Sequence, residues 1–98
     1  MKPEKINNIS DVGLCLKTLI KFRFNRDTKV IYNSSGKYKS LYISFFKNHA
    51  WQFYVEAHGT YYLIYLLKDN KIVKKDMIRK GDTVERFYTR ILPFIRLI

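Results

Sequence analysis

The segment WQFYVEAHGTYYLIYLLKDNKIVKKDMI, residues 51–78, holds three runs of aromatic, aliphatic and β-branched residues separated only by His58-Gly59 and Asp69-Asn70. Side chains alternate between the two faces of a strand, and a two-residue connection leaves room for nothing but an antiparallel hairpin. Similar runs near 29–33 and 39–47, bounded by NSSGK and NHA, extend the pattern to five strands in sequential order. The expectation is a meander.

Register follows from the turns. A type I′ turn at His58-Gly59 pairs Ala57 with Thr60, Val55 with Tyr62, Phe53 with Ile64 and Trp51 with Leu66, all on one apolar face. The second face then holds Gln52, Tyr54 and Glu56 against Tyr61, Leu63, Tyr65 and Leu67. A three-residue connection Asn48-His49-Ala50 sends Leu41, Ile43 and Phe45 to the core face and Tyr42, Ser44 and Phe46 to the other. A turn at Asp69-Asn70 adds Val73 and Met77 to the core face. It places Ile72, Lys74, Asp76 and Ile78 on the second, with Lys74 beside Tyr65 and Lys75 snorkelling from the core side or lying at an edge.

The chain ends carry a different period. Val12, Cys15, Leu16, Leu19 and Ile20 fall on one helix face behind a candidate N-cap at Ser10, although Gly13 costs about 1 kcal/mol relative to Ala. At KFRFNRD, charge and Phe alternate, so the helix stops there or passes into a short strand. In GDTVERFYTRILPFIRLI, Asp82 is a candidate N-cap with Glu85 three residues on, and Val84, Phe87, Tyr88, Ile91 and Leu92 form the buried stripe. Pro93 is expected to end or kink that helix near Leu92, with FIRLI packing or pairing beyond it. Residues 1–8 are polar and expected to be flexible. The fold expected is a single basic α+β domain over 1–98: N-terminal helix, five-stranded antiparallel β-meander, C-terminal helix.

Two helices suffice to cover the core face, which leaves the tyrosine-rich face open. Its Leu63, Leu67, Ile72 and Ile78 favour the contrary: a helix on each side, closure into a small barrel, or a homodimer through this face.

The 98 residues carry 19 Lys plus Arg against 8 Asp plus Glu, a formal charge of +11, and 16% aromatic residues. Such a field steers polyanions to the surface. An AT-rich coding sequence would raise Lys, but it does not explain why there are only three Glu. Cys15 is the sole cysteine, the start MKPEKINNIS has no apolar signal core, and no run approaches the about 20 apolar residues of a membrane span. A cytoplasmic protein, with no membrane partner, is expected.

Motifs for chemistry are sparse. His49 and His58 both fall at predicted turns, and Glu56 with His58 could form an acid/base pair on one side of a strand end, although nothing else converges on it. Neither a zinc-ligand spacing nor a phosphate-cradling glycine motif is present, so no metal and no cofactor are expected. The chain is expected not to be an enzyme, a small basic ribonuclease relying on Lys and Arg being the less favoured case.

Charge and rings together set the functional expectation: a small basic nucleic-acid-binding accessory protein that prefers single-stranded DNA or RNA, with bases stacked on tyrosines and phosphates on Lys and Arg. The candidate residues are Lys21, Arg23, Arg26, Lys39, Tyr42, Tyr54, Tyr65, Lys74, Lys75, Arg79, Lys80, Arg86 and Arg90. Each has a plainer reading: the helical arginines as a solvated face, Phe22 and Phe24 as core with Lys21, Arg23 and Arg26 in water, the tyrosines as packing. The alternative function is a protein-binding module, an accessory subunit or inhibitor docking on a larger nucleic-acid-processing enzyme through the tyrosine-rich face.

Overall fold

A computed structural model of the chain describes residues 4–45 and 50–98. The order is α1 (Ile9–Phe24), β1 (Lys29–Asn33), β2 (Ser40–Phe45), β3 (Trp51–Ala57), β4 (Tyr61–Lys68), β5 (Lys71–Arg79) and α2 (Val84–Ile95). The strands form one antiparallel sheet in sequential order, the expected α+β meander between two helices.

Both helices pack on the same face of the sheet, α1 over β2 and β3 and α2 over β5. Val12, Cys15, Leu16 and Ile20 of α1 and Phe87, Ile91, Phe94 and Ile95 of α2 are buried with Leu41, Ile43, Phe45, Phe53, Val55, Ile64 and Leu66 of the sheet. Phe53 sits centrally, its ring centroid 5.8 Å from Phe45 and 6.0 Å from Phe94. The Tyr88 hydroxyl bonds to Cys15 and joins the two helices; burial and that contact raise its pKa.

The faces of β2, β3 and β4 are those the alternation dictates, but the registers are not. Phe53 pairs with Leu66, Val55 with Ile64 and Ala57 with Tyr62, two residues from the expected pairing. The turn centres on Gly59-Thr60, closed by the His58 N–H donating to the Tyr61 carbonyl at 2.8 Å, and Gly59 does not adopt positive φ. β2 and β3 differ likewise, with Phe45 opposite Trp51 and Ile43 opposite Phe53. A slip of two leaves every side chain on its own face, so hydrophobic pattern alone does not detect it. Phe46 and most of the expected Asn48-His49-Ala50 connection lie outside the described residues.

β5 is where the faces themselves change. The Asp69-Asn70 turn forms with both residues at positive φ, and Leu67 pairs with Ile72, as expected. Between Leu66 and Leu67 the ladder shifts: Leu66 pairs with Lys74, and Val73 is the extra residue of a β-bulge. Every later residue of β5 therefore changes sides. Ile78 is buried opposite Tyr62, while Met77 stands exposed opposite Leu63. Lys75 lies on the second face, with no need to snorkel. Lys74 points to the helix side, its Nζ 5.5 Å from the Phe94 ring centroid. The bulge brings Ile78 into the core in place of Met77, and the lysine on the helix side becomes Lys74 instead of Lys75.

The chain ends also depart from expectation. Residues 4–6, expected to be loose, are tied to the loop before α2: Ile6 is buried, its N–H donates to the Asp82 carbonyl at 2.8 Å, and the Gly81 N–H donates to its carbonyl at 2.6 Å. Asn8, rather than Ser10, caps α1, accepting the Asp11 N–H at 2.9 Å. No strand follows at KFRF; α1 continues to Phe24, which stacks on Phe45, and ends at Asn25 in the left-handed conformation. Phe22, read as core, is 87% exposed. In α2 the N-cap is Thr83, whose hydroxyl accepts the Arg86 N–H at 3.2 Å. Pro93 does not stop this helix. Its missing N–H orphans a carbonyl on the solvent side, where water can satisfy it, while Phe94 and Ile95 bury beyond it and Leu92 remains exposed.

Candidate functional site

The sheet face turned away from the helices is covered by no helix or strand among the described residues. At its centre one row of directly opposed residues crosses all five strands: Ile31, Tyr42, Tyr54, Tyr65 and Lys75. The Tyr42 and Tyr54 centroids are 4.5 Å apart and those of Tyr54 and Tyr65 5.6 Å, with rings tilted by 34° and 32°. Such offsets suit aromatic pairs. Tyr42 is the most open of the three, at 39% exposure.

A second group of rings sits where the β3–β4 turn meets the loop before β2. His58 is stacked on Tyr61, centroids 4.7 Å apart and rings 3° from parallel, and lies 4.1 Å from Tyr38 on its other side. The Lys37 ammonium is 5.4 Å from the Tyr38 ring, and Arg79 stands opposite Tyr61 on the neighbouring strand. A cation therefore flanks each end of this group.

Glu56 links the two groups of rings. It accepts the Tyr54 hydroxyl at 2.8 Å, and its other oxygen is 3.4 Å from His58 Nε2. Burial first, then this hydrogen bond and the Glu56 charge, push the Tyr54 hydroxyl up to about 12. Tyr65 is raised too, by burial and by the nearby carboxylate. Both are neutral phenols at physiological pH. The Glu56–His58 pair noted in the sequence is thus a real contact, but its polar atoms engage tyrosines and each other.

The thirteen sequence-derived candidates divide. Tyr42, Tyr54, Tyr65, Lys75 and Arg79 come together on the open face, and Lys80 follows at its edge. Lys39 is exposed at the start of β2, its carbonyl accepting the Ala57 N–H at 2.8 Å. Lys74 is excluded by the bulge. Lys21 and Arg23 sit on the last turns of α1, with Lys21 3.3 Å from Asp27, and Arg26 lies just beyond the helix. On α2, Arg86 pairs with Asp82 at 3.8 Å and Arg90 with Asp76 at 3.3 Å, so opposing carboxylates already offset their charge. By contrast, no ion pair involves Lys29, Lys75, Arg79 or Lys80 among the described residues.

Tyr38, His58 and Tyr61 join the ring system although the sequence does not mark them as binding residues: alternation puts Tyr61 on this face, but Tyr38 and His58 lie in a loop and a turn, which give no register signal. Among the described residues no three His, Cys, Asp or Glu side chains converge as metal ligands, and no helix is long and apolar enough to cross a membrane. No protein-family model, curated protein or solved structure matches the chain.

Proposed function

We propose that the protein is a small basic nucleic-acid-binding accessory protein of the cytoplasm, which holds single-stranded DNA or RNA on the open face of its sheet. The observation that carries this reading is the tyrosine row Tyr42, Tyr54, Tyr65 on an uncovered face, with Lys75 at one end of the row and Lys29 on the opposite edge strand. Bases stack on rings irrespective of sequence, each contributing about 1 to 3 kcal/mol, while cations at the margins take the phosphates. The central Glu56 carboxylate fits this division, since it repels phosphates from the middle of the face and leaves the rings to the bases. A single strand is favoured over a duplex because the tyrosine row offers stacking surface and, among the described residues, both helices lie on the other side of the sheet. No catalytic step is assigned.

Fluorescence anisotropy with a labelled single strand and a duplex of equal length, at about 50 mM salt, tests the reading. Single-strand affinity in the micromolar range or better, weakened by Tyr54→Ser with Tyr65→Ser while the fold persists, is expected. Absence of binding at that salt would exclude it.

A second reading draws on the apolar side chains of the same face. Ile72 is 63% exposed and Ile31 and Met77 about half so, at the two margins of the face. Such residues suit a protein partner, either a larger nucleic-acid-processing enzyme or a second copy of this chain. Binding of that kind would show little salt dependence, whereas phosphate contacts weaken steeply as salt rises.

A further inference from the structure

At the corner where β4 and β5 approach the start of α2, two clefts share the walls Met77 and Arg79. The larger, about 700 Å³, runs along α2 and contains Asp82 and Glu85 beside Arg86 and Arg90, so its cations face carboxylates. The smaller, about 420 Å³, is lined by Thr60, Tyr61, Met77, Arg79 and Lys80 and has no carboxylate in its wall. It combines a hydroxyl, an aromatic ring, a thioether chain and two cations without ion-pair partners among the described residues.

We propose that this smaller cleft is a nucleotide subsite, holding one base of the strand between the Tyr61 ring and the Met77 side chain and its phosphodiester on Arg79 and Lys80. The inference rests on the nucleic-acid reading and deepens it by giving the strand a fixed end point on the face. Three features make the corner a defined place and not merely a charged surface. Tyr61 is backed by His58, which is held in turn by Tyr38 and Glu56, so the ring offers a supported surface. The ladder continues past β5, the Lys80 N–H donating to the Thr60 carbonyl at 3.0 Å, which fixes the wall that carries both cations. Gly81 then turns the chain at a φ of 88°, and its N–H is held by the Ile6 carbonyl, so the backbone beyond Lys80 is anchored to the core. Arg supplies a planar fork that matches phosphate oxygens, and Met adapts to the flat face of a base.

The corner is separable from the central tyrosine row, because neither Tyr54 nor Tyr65 lines it. The probe is a thymidylate decamer, titrated against the wild type, Arg79→Gln with Lys80→Gln, and Lys17→Gln with Arg96→Gln, which removes the same charge from exposed positions on α1 and at the C-cap of α2. The corner variant should bind about ten-fold more weakly, and its salt slope should fall by about one unit for the phosphate it no longer neutralises. The helical variant should change by less than about two-fold. Amide shifts in wild-type NMR spectra should include Thr60, Tyr61 and Met77. If both variants lose affinity equally, or the decamer leaves those amides unmoved, the subsite is excluded while the sheet-face reading survives through its tyrosine variants. If the wild type binds no decamer at all, the sheet-face reading fails and the subsite fails with it.

Discussion

Tyr65 of β4 stands directly opposite Lys75 of β5, and the pairing exists only because Val73 is bulged out of the ladder one step earlier. Without the bulge, Lys74 would hold that place, Lys75 would face the core and Ile78 would face solvent. One extra residue thus sets both the seal of the core beneath α2 and the charge that ends the tyrosine row.

Deleting Val73 should therefore be tolerated. The pairs Leu67–Ile72 and Leu66–Lys74 become consecutive, and all later residues keep their faces. The expected loss in urea denaturation is under about 1 kcal/mol, the range of a local change at an exposed edge position. Deleting Tyr54 instead, from β3, whose ladders hold no spare residue to absorb the loss, puts Phe53 and Val55 out of phase and should abolish cooperative unfolding. Equal effects of the two deletions would show that Val73 is not the spare residue.

Phe53→Ala should destabilise the fold by about 3 to 5 kcal/mol, as expected when a fully buried aromatic leaves a cavity. Its ring is packed between Phe45 and Phe94 with no exposure. Trp51 is on the same face but half-buried at the sheet margin, with the Lys68 ammonium 5.1 Å from its ring. Trp51→Ala should cost roughly half as much or less. Chemical denaturation of the two variants ranks them.

The outline of the fold was legible in the residues because alternation is a local signal: period two in the strands, 3.6 in the helices, and turn chemistry at Asp69-Asn70. What was not legible is what neighbouring strands decide together. A slip of two between β3 and β4 keeps Phe53 and Leu66 inward under either pairing, so only the packed core selects one. The bulge left a trace in the sequence as Ile78, which a straight strand sets outside the core while Met77 takes its place. Arg86 and Arg90 read as cationic because their partners, Asp82 and Asp76, take part through helix and sheet geometry; for Arg90 the carboxylate is on another element. Gly13, costly for a helix, is buried where an added Cβ would meet the Tyr32 hydroxyl at 2.7 Å, a reason visible only once β1 lies beside α1.

The raised Tyr54 pKa gives stability a dependence on alkaline pH. A phenol with a folded-state pKa of about 12, against about 10 when unfolded, binds its proton more tightly in the native state. Its contribution is complete below pH about 10 and is lost as pH rises toward about 12. Tyr62, Tyr65 and Tyr88 are raised as well and act in the same direction. Urea midpoints should therefore fall through this window, and Tyr54→Phe should flatten part of the fall. A variant with the wild-type slope would mean that Tyr54 ionises normally.

Lys74 and Lys75 offer the sharpest test, since neighbours of identical chemistry are assigned opposite roles by the bulge. Lys75 ends the tyrosine row and has no ion-pair partner among the described residues, so Lys75→Gln should weaken single-strand binding and lower the salt slope by about one unit, leaving the urea midpoint unchanged. Lys74 lies on the helix side over the Phe94 ring, where a cation contributes about 0.5 to 1 kcal/mol at an exposed site. Lys74→Gln should thus lower stability by roughly that amount and leave the salt slope of binding as it is. Anisotropy titrations at several salt concentrations, together with urea melts of both variants, measure the two effects independently. If the two substitutions reduce binding equally, the strand is drawn by net charge alone and the sheet face has no special claim on it. If Lys74→Gln reduces binding and Lys75→Gln does not, the ligand lies on the α2 side of β5.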